Sequence, residues 1–271
     1  MNLINISSIK TTILTSSLIM LMGCSNNDKQ TVTTLDKIVL QEEFEVNGTP
    51  NIALWSKEIG TGNNGWGNNE LQYYTDRLQN LKVEDGVLKI TAIKESFMGS
   101  GYTSGRMITK TKFEQKFGRY EARIKMPWGK GIWPAFWMLG ANSDTVAWPQ
   151  CGEIDIMEYL GNNPTTVFGT VHGPGYAGSN AISKLYSLKN DRFDNGFHVF
   201  GIEWGENYIN YYVDDVLYNQ ITQNDVKGEW VFNKPFYIIL NMAVGGNLPG
   251  SPNAETVFPQ TMTVDYVRVY Q

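Results

Sequence analysis

Residues 151–158 read Cys-Gly-Glu-Ile-Asp-Ile-Met-Glu, which places Glu153, Asp155 and Glu158 within six positions and spaces them with aliphatic side chains. Side chains alternate faces along a strand. Glu153 and Asp155 therefore share a face, Ile154 and Ile156 point into the core, and Glu158 falls out of step. Carboxylates two apart on one face raise each other's pKa, a cost that a merely solvated strand has little reason to carry. Paired carboxyl groups suit cleavage of a glycosidic bond, where a retaining mechanism needs a nucleophile and an acid/base about 5–5.5 Å apart. Four residues along a strand span about 13 Å, which side chains leaning together over a concave sheet can close. Five residues break the parity. A β-bulge at Ile156–Met157 repairs it, because one extra residue re-aims every side chain beyond it.

The elements that must carry such a strand are visible along the chain. Val83 and Val87-Leu88 flank Asp85-Gly86, and two aromatic and β-branched runs flank Asp214-Asp215; both read as hairpins. Tyr120, Ala122 and Ile124 alternate with Glu121, Arg123 and Lys125, the pattern of a half-buried strand. Residues 235–246 form an apolar run bounded by Pro235 and Gly245-Gly246, and alternation returns over 261–270. Long helical periodicity is absent. The fold class expected is all-β, an antiparallel sandwich of two sheets with loops shaping a cleft on one face. Trp133 and Trp137 lie four apart on one such strand and so share a face, and Trp148 enters the acidic strand. Flat indole faces suit the axial C–H bonds of a sugar. Trp204 reads as core.

The acidic strand resembles the active-site strand of glycoside hydrolase family 16, in its bulged laminarinase-like branch. Residues 65–75 (GWGNNELQYYT), 118–140 (GRYEARIKMPWGKGIWPAFWMLG), 148–161 (WPQCGEIDIMEYLG) and 235–250 (PFYIILNMAVGGNLPG) carry the same resemblance, which extends over nearly the whole chain from about residue 38. It implies a β-jelly roll with a long concave substrate cleft. It makes Glu153 the nucleophile and Glu158 the general acid/base, with Asp155 bonded to the nucleophile and controlling protonation. Met157 separates this strand from the unbulged E-x-D-x-E form. Asn68 and Arg106 match positions that contact sugar hydroxyls, with Glu70 a weaker candidate to orient Arg106. His172 is similar to a histidine on the neighbouring strand that relays a proton or touches substrate, and Asn241 lies within reach of the cleft. A structural calcium would take Glu43, the carbonyl of Gly86 and Asp265; no cofactor is implied for catalysis. The substrate class implied is β-glucan, β-1,3-linked or mixed-linkage, with a galactan-cleaving enzyme or a glycan-binding lipoprotein on the same fold as alternatives.

Lys10 precedes an apolar stretch, Thr11 to Met22, too short for a membrane span and expected to be a signal peptide over 1–23. Leu21-Met22-Gly23-Cys24 resembles a lipobox, which makes Cys24 a lipidation site followed by a polar tether to residue 36. That predicts a monomer anchored to the bacterial outer membrane or cell surface, or a secreted protein if cleavage is ordinary, with residues 37–271 as the catalytic domain. The other cysteine, Cys151, has the parity of Glu153 and so lines the cleft on this reading. Nearby carboxylates raise its pKa, which argues against a catalytic thiol. The 271 residues carry a net charge of −5 with no basic run, which excludes the clustered cations that nucleic acid demands.

Overall fold

The computed structural model describes residues 35–271. The expected signal peptide, Cys24 and all but the last two residues of the tether lie outside them. Eighteen strands follow in chain order: β1 (Ile38–Glu42), β2 (Ser56–Lys57), β3 (Gln72–Tyr74), β4 (Leu81–Glu84), β5 (Val87–Phe97), β6 (Ser100–Ser104), β7 (Arg106–Ile108), β8 (Glu114–Gln115), β9 (Gly118–Lys125), β10 (Ile132–Gly140), β11 (Glu153–Tyr159), β12 (Thr166–His172), β13 (Ile182–Ser187), β14 (His198–Trp204), β15 (Tyr208–Val213), β16 (Val216–Thr222), β17 (Phe236–Val244) and β18 (Gln260–Tyr270). They form two sheets, as expected of a jelly roll. The outer one runs β16-β15-β14-β9-β18-β5-β6-β3, with β1 on β18 and β4 on β5; the inner one runs β13-β12-β11-β10-β17-β7-β2, with β8 on β17. Pairing is antiparallel except between β3 and β6. Among the described residues no helix is long and apolar enough to cross a membrane.

Alternation decides which side of each strand meets the core. On β9, Tyr120, Ala122 and Ile124 are fully buried and pack in one cluster with Phe136, Met138 and Ile154 of the inner sheet. Asp85 and Gly86, at φ 57° and 75°, and Asp214 and Asp215, at φ 50° and 61°, close two-residue hairpins with both turn residues left-handed, the geometry that matches strand twist. Trp204 is buried with its indole N–H donated to the carbonyl of Phe232, 2.9 Å, a core tryptophan as read.

The bulge lies where parity requires it. Ala135, Phe136 and Trp137 of β10 oppose Glu158, Met157 and Asp155 of β11, so Ile156 has no partner there. On the other edge Asp155 pairs with Thr170 and Glu158 with Phe168, leaving Ile156 and Met157 together opposite Gly169. Glu153 pairs with Leu139 and Glu158 with Ala135. Five steps of sequence have become four steps of register, and Glu158 returns to the face of Glu153. Ile156 and Met157 are both buried, anchoring the bulge in the core.

The acids expected to hold calcium are otherwise engaged. Glu43 takes both Nε and Nη2 of Arg268, at 2.7 and 2.9 Å, and Asp265 takes Nη1 of Arg123 at 2.6 Å. Gly86 sits in the β4–β5 turn. A hard cation needs those carboxylate oxygens and would have to displace two guanidinium groups, so this arrangement does not fit the ion.

Gly169 has no room for a side chain: a Cβ there would overlap the hydroxyl of Tyr218 and the ring of Tyr211. Overpacking of this kind costs about 1–3 kcal/mol, and a domain of this size loses roughly 2–4 °C of Tm per kcal/mol. Gly169→Ala is expected to lower Tm accordingly by calorimetry; an unchanged Tm would show that the strand opposite the bulge is free to give way.

Candidate active site

Strand register lays the candidate side chains out in rows across the inner sheet. Arg106 of β7 opposes Asn241 of β17, which opposes Ala135 of β10, which opposes Glu158 of β11. A second row runs Ile108, Ile239, Trp137, Asp155, and a third runs Tyr237, Leu139, Glu153, His172. Directly opposed residues share a face, and the residues between them, such as Phe136, Met138 and Leu240, fill the core. The three rows therefore line the concave face. Ile108, Tyr237 and Ile239 form a small apolar cluster of their own, with Trp137 and Leu139 packed on it. This is the floor of the cleft.

Asp155 is 3% exposed, and its Oδ2 has no hydrogen-bond partner. Glu153 and Glu158 are half-buried beside it. Burial, the largest cause, pushes all three carboxyl groups up, and with the charge of Asp155 added for Glu153 and Glu158 each reaches about 8. Working the other way, His172 lowers both glutamates, Trp133 hydrogen-bonds Glu158 and Trp148 hydrogen-bonds Glu153. The Trp133 bond runs from Nε1 to Oε1 of Glu158 at 3.2 Å. Such a group titrates as a unit, holding protons at neutral pH that isolated carboxyls would lose.

His172 Nε2 lies 3.2 Å from Asp155 Oδ2 and 3.7 Å from Glu153 Oε1. Its Nδ1 accepts the backbone N–H of Gly178, 3.1 Å. That bond assigns the neutral ring's proton to Nε2, aimed at the two acids. Glu153, Asp155 and His172 bring ligand atoms within 4.8 Å of one another, a spacing a metal ion could use. A metal-bound imidazole, however, needs its coordinating nitrogen bare and its other N–H donating. Gly178 holds the opposite tautomer, so the trio handles protons.

Glu153, Asp155, Glu158, Trp133, Trp137, His172, Asn241 and Arg106 thus meet on one face. Trp148 stands in the loop before β11, 48% exposed, its ring 5.8 Å from that of His172. Asn68 lies on the 61–70 loop, which is joined to the rim at 247 through the Asn68 carbonyl, 2.8 Å from the N–H of Asn247. Two readings are corrected. Cys151 does not line the cleft: it is 1% exposed, because Gly152 at φ 76° ends the strand before parity can reach it, and burial pushes the thiol up. Arg106 is oriented by Glu58, which takes its Nε, while Glu70 accepts Gln72 Nε2 at 2.6 Å and Tyr74 Oη at 3.2 Å. Glu58, Trp66 and Tyr74 were not identifiable as functional residues from sequence. Tyr74 lies within residues 65–75 (GWGNNELQYYT) but carries no signal separating it from a core tyrosine.

A jelly-roll sandwich with a desolvated carboxylate row over an aromatic cleft defines a polysaccharide-cleaving enzyme, a glycoside hydrolase. The chain belongs to glycosyl hydrolases family 16, whose family model matches residues 63–268. It is 39% identical over 263 residues to the beta-glucanase of Rhodothermus marinus, covering 93% of this chain and 91% of that protein. The catalytic domain of an endo-1,3-beta-glucanase (laminarinase) from Thermotoga petrophila RKU-1 superposes with a TM-score of 0.83 at 48% identity, over 88% of this chain and 98% of that one. The endo-beta-1,3-glucanase of Pyrococcus furiosus matches with a TM-score of 0.83 at 48% identity, over 89% and 98%.

The electrostatics make a signed pair of predictions. Asp155→Asn removes an anion that raises Glu158, so Glu158 should ionise at lower pH. Trp133→Phe removes a donor that stabilises the Glu158 carboxylate, so Glu158 should ionise at higher pH. Carboxyl carbon NMR of Glu158 reads both; shifts of the same sign would refute the assignment of causes.

Proposed function

We propose that the protein is a retaining endo-β-1,3-glucanase acting on β-1,3-glucan such as laminarin, with mixed-linkage β-1,3/1,4-glucan as a second substrate of the same cleft. The observation that carries this reading is the bulge, which returns Glu158 to the face of Glu153 with Asp155 between them. Glu153, ionised and facing the His172 N–H, attacks the anomeric carbon while Glu158 gives its proton to the departing glycosidic oxygen. A covalent glycosyl-enzyme results, with the leaving sugar neutral. Glu158, now a carboxylate, takes a proton from water as that water attacks the anomeric carbon. Glu153 leaves as a carboxylate, and the configuration is retained. Asp155 keeps the remaining proton near the nucleophile, and its charge once ionised holds Glu158 protonated. Trp133 and Trp137 offer ring faces to the sugar on either side of the cleaved bond. The relatives named as glucanases support the substrate class.

The expected result is release of new reducing ends from laminarin, with the β-anomer formed first by proton NMR. Glu158→Gln should lose about 10²–10⁴-fold in kcat. Glu153→Ala should be inactive and, with azide, give the α-glycosyl azide, as removal of the nucleophile requires; the β-azide would mean that Glu153 is the acid/base instead. Glu153, Asp155 and Glu158 are all pushed up to about 8 and titrate as one unit, so turnover needs the group partly ionised, with Glu153 the carboxylate and Glu158 the acid, and kcat should fall as pH rises through that value and the last proton is lost. Binding of laminarin without any release would sink the enzymatic reading.

The sequence also supports a lipid anchor at Cys24 and a bacterial surface location. Cys24→Ser is expected to move the protein from the membrane to the soluble fraction of fractionated cells, and retention in the membrane would exclude the anchor.

A further inference from the structure

The concave face holds a buried cation that the carboxylate chemistry does not use. Arg106 is 8% exposed. Its guanidinium carbon lies 4.5 Å from the ring centre of Trp66 and 4.9 Å from that of Trp137, so the cation packs on two indole rings. Nε is taken by Glu58, whose own backbone N–H donates to the Arg106 carbonyl at 3.0 Å. Among the described residues the two terminal amines have no hydrogen-bond partner, and neither is a fully buried orphan. What remains of this guanidinium is one edge with paired donors.

Trp66 reaches that position at a cost. It lies at φ 55° in a loop where Asn64 and Asn69, at φ 49° and 55°, and Gly62, Gly65 and Gly67, at φ 59°, 57° and 81°, are also left-handed. A bulky residue there is strained by about 1–3 kcal/mol, so the surroundings must hold it. Its indole N–H is buried without an acceptor, which means that the ring is placed by its face and not by its nitrogen. Tyr74 supports it at 5.4 Å. The same tyrosine accepts Asn241 Nδ2 at 3.0 Å, and Asn241 Oδ1 in turn accepts Trp137 Nε1 at 2.6 Å. Both indoles that pack on Arg106 are thus fixed through one buried tyrosine.

We propose that Glu58 and Trp66 are positioning residues that present Arg106 as a charge-neutralised fork of donors to the hydroxyl groups of an uncharged glucose unit away from the cleaved bond. This rests on the glucanase reading and names the part of the cleft that selects its substrate. The row from Arg106 to Glu158 crosses three strand spacings, about 14 Å between backbones at ~4.8 Å each, which sets Arg106 toward a sugar beside the one being cleaved. A rigid planar fork matches adjacent oxygens in a way that a flexible ammonium does not. Because Glu58 cancels the positive charge, the fork reads hydroxyls and gives no premium to a sulphated or carboxylated sugar. The contribution is to binding, so loss of the clamp raises KM and leaves kcat in place.

The test uses the full catalytic chain with laminarihexaose as probe, in Trp66→Ala, Trp66→Phe and Glu58→Gln. Loss of one cation–π face corresponds to about 3- to 30-fold, and that is the expected rise in KM for Trp66→Ala, with kcat within about twofold; Trp66→Phe, which keeps a ring, should recover most of it. Glu58→Gln should raise KM for laminarihexaose and narrow the gap in binding between it and a sulphated oligosaccharide. The same order should appear in calorimetric binding to the inactive Glu153→Gln chain, with Tm confirming that each variant is folded. An unchanged KM in Trp66→Ala, a fall in kcat matching the loss in kcat/KM, or no rescue by phenylalanine would overturn the positioning role. If instead the unaltered chain neither cleaves nor binds any β-glucan, the glucanase reading fails before a variant is made, and this inference with it.

Discussion

Three carboxyl groups held out of water on one face of one strand set the terms for the rest of this structure. Desolvation raises all of them and mutual repulsion raises two further. A protein can tolerate this only if donors are placed to meet the two glutamates and if the strand is pinned from behind. Both conditions are met locally. Trp133, Trp148 and His172 approach from the cleft side, while Ile154, Ile156, Met157 and Tyr159 sink into the main core from the other. The bulge joins the two conditions, since the residues that break the ladder are themselves the buried anchors. A bulge on a surface strand would move; this one is held by side chains that have nowhere else to go.

The same economy governs the floor of the cleft. β17 is buried on both faces along its whole length, unusual for a strand whose second face borders a substrate cleft. Its odd-numbered residues are covered by Trp137, Leu139 and the Arg106 clamp. The cleft is therefore a second, thinner hydrophobic layer with polar groups set into it. Tyr74, Asn241 and Trp137 are linked by hydrogen bonds inside that layer, and each link fixes the orientation of the next, because an amide that donates to one partner must offer its oxygen to the other. Rigid side chains of this kind keep the floor of the cleft flat.

Much of this was legible in sequence because it follows parity. Alternation gave the sheets, Asp-Gly and Asp-Asp gave two hairpins, and the odd spacing of Glu158 demanded a bulge at Ile156–Met157, where it is found. Parity also misled at Cys151, since it holds only while the backbone stays extended and Gly152 turns it. What was not legible depends on tertiary distance or on unusual backbone. Glu58 follows a strand of two residues, too short to carry a period. Trp66 owes its place to a left-handed loop whose glycines suggest a turn but not its direction. The tautomer of His172 is fixed by the amide of Gly178, a group every residue has and no sequence pattern marks. The arginine pairing of Glu43 and Asp265 likewise depends on neighbours brought together across β1, β9 and β18.

A local choice that disagrees with the fold around it is where function shows. Along β11, the aliphatic positions agree with a buried strand and the acidic positions do not, and that disagreement located the chemistry. Arg106 is the quieter case. Its charge conflicts with a buried, aromatic setting, yet the sequence around it, Ser-Gly-Arg-Met-Ile, reads as an ordinary strand edge. The conflict becomes visible only when Trp66 and Trp137 are seen packed on it with Glu58 at its side. A carboxylate cluster announces itself in one dimension because its repulsion is between neighbours in sequence. A buried cation is compensated from three separate segments of chain, so its meaning exists only in three dimensions.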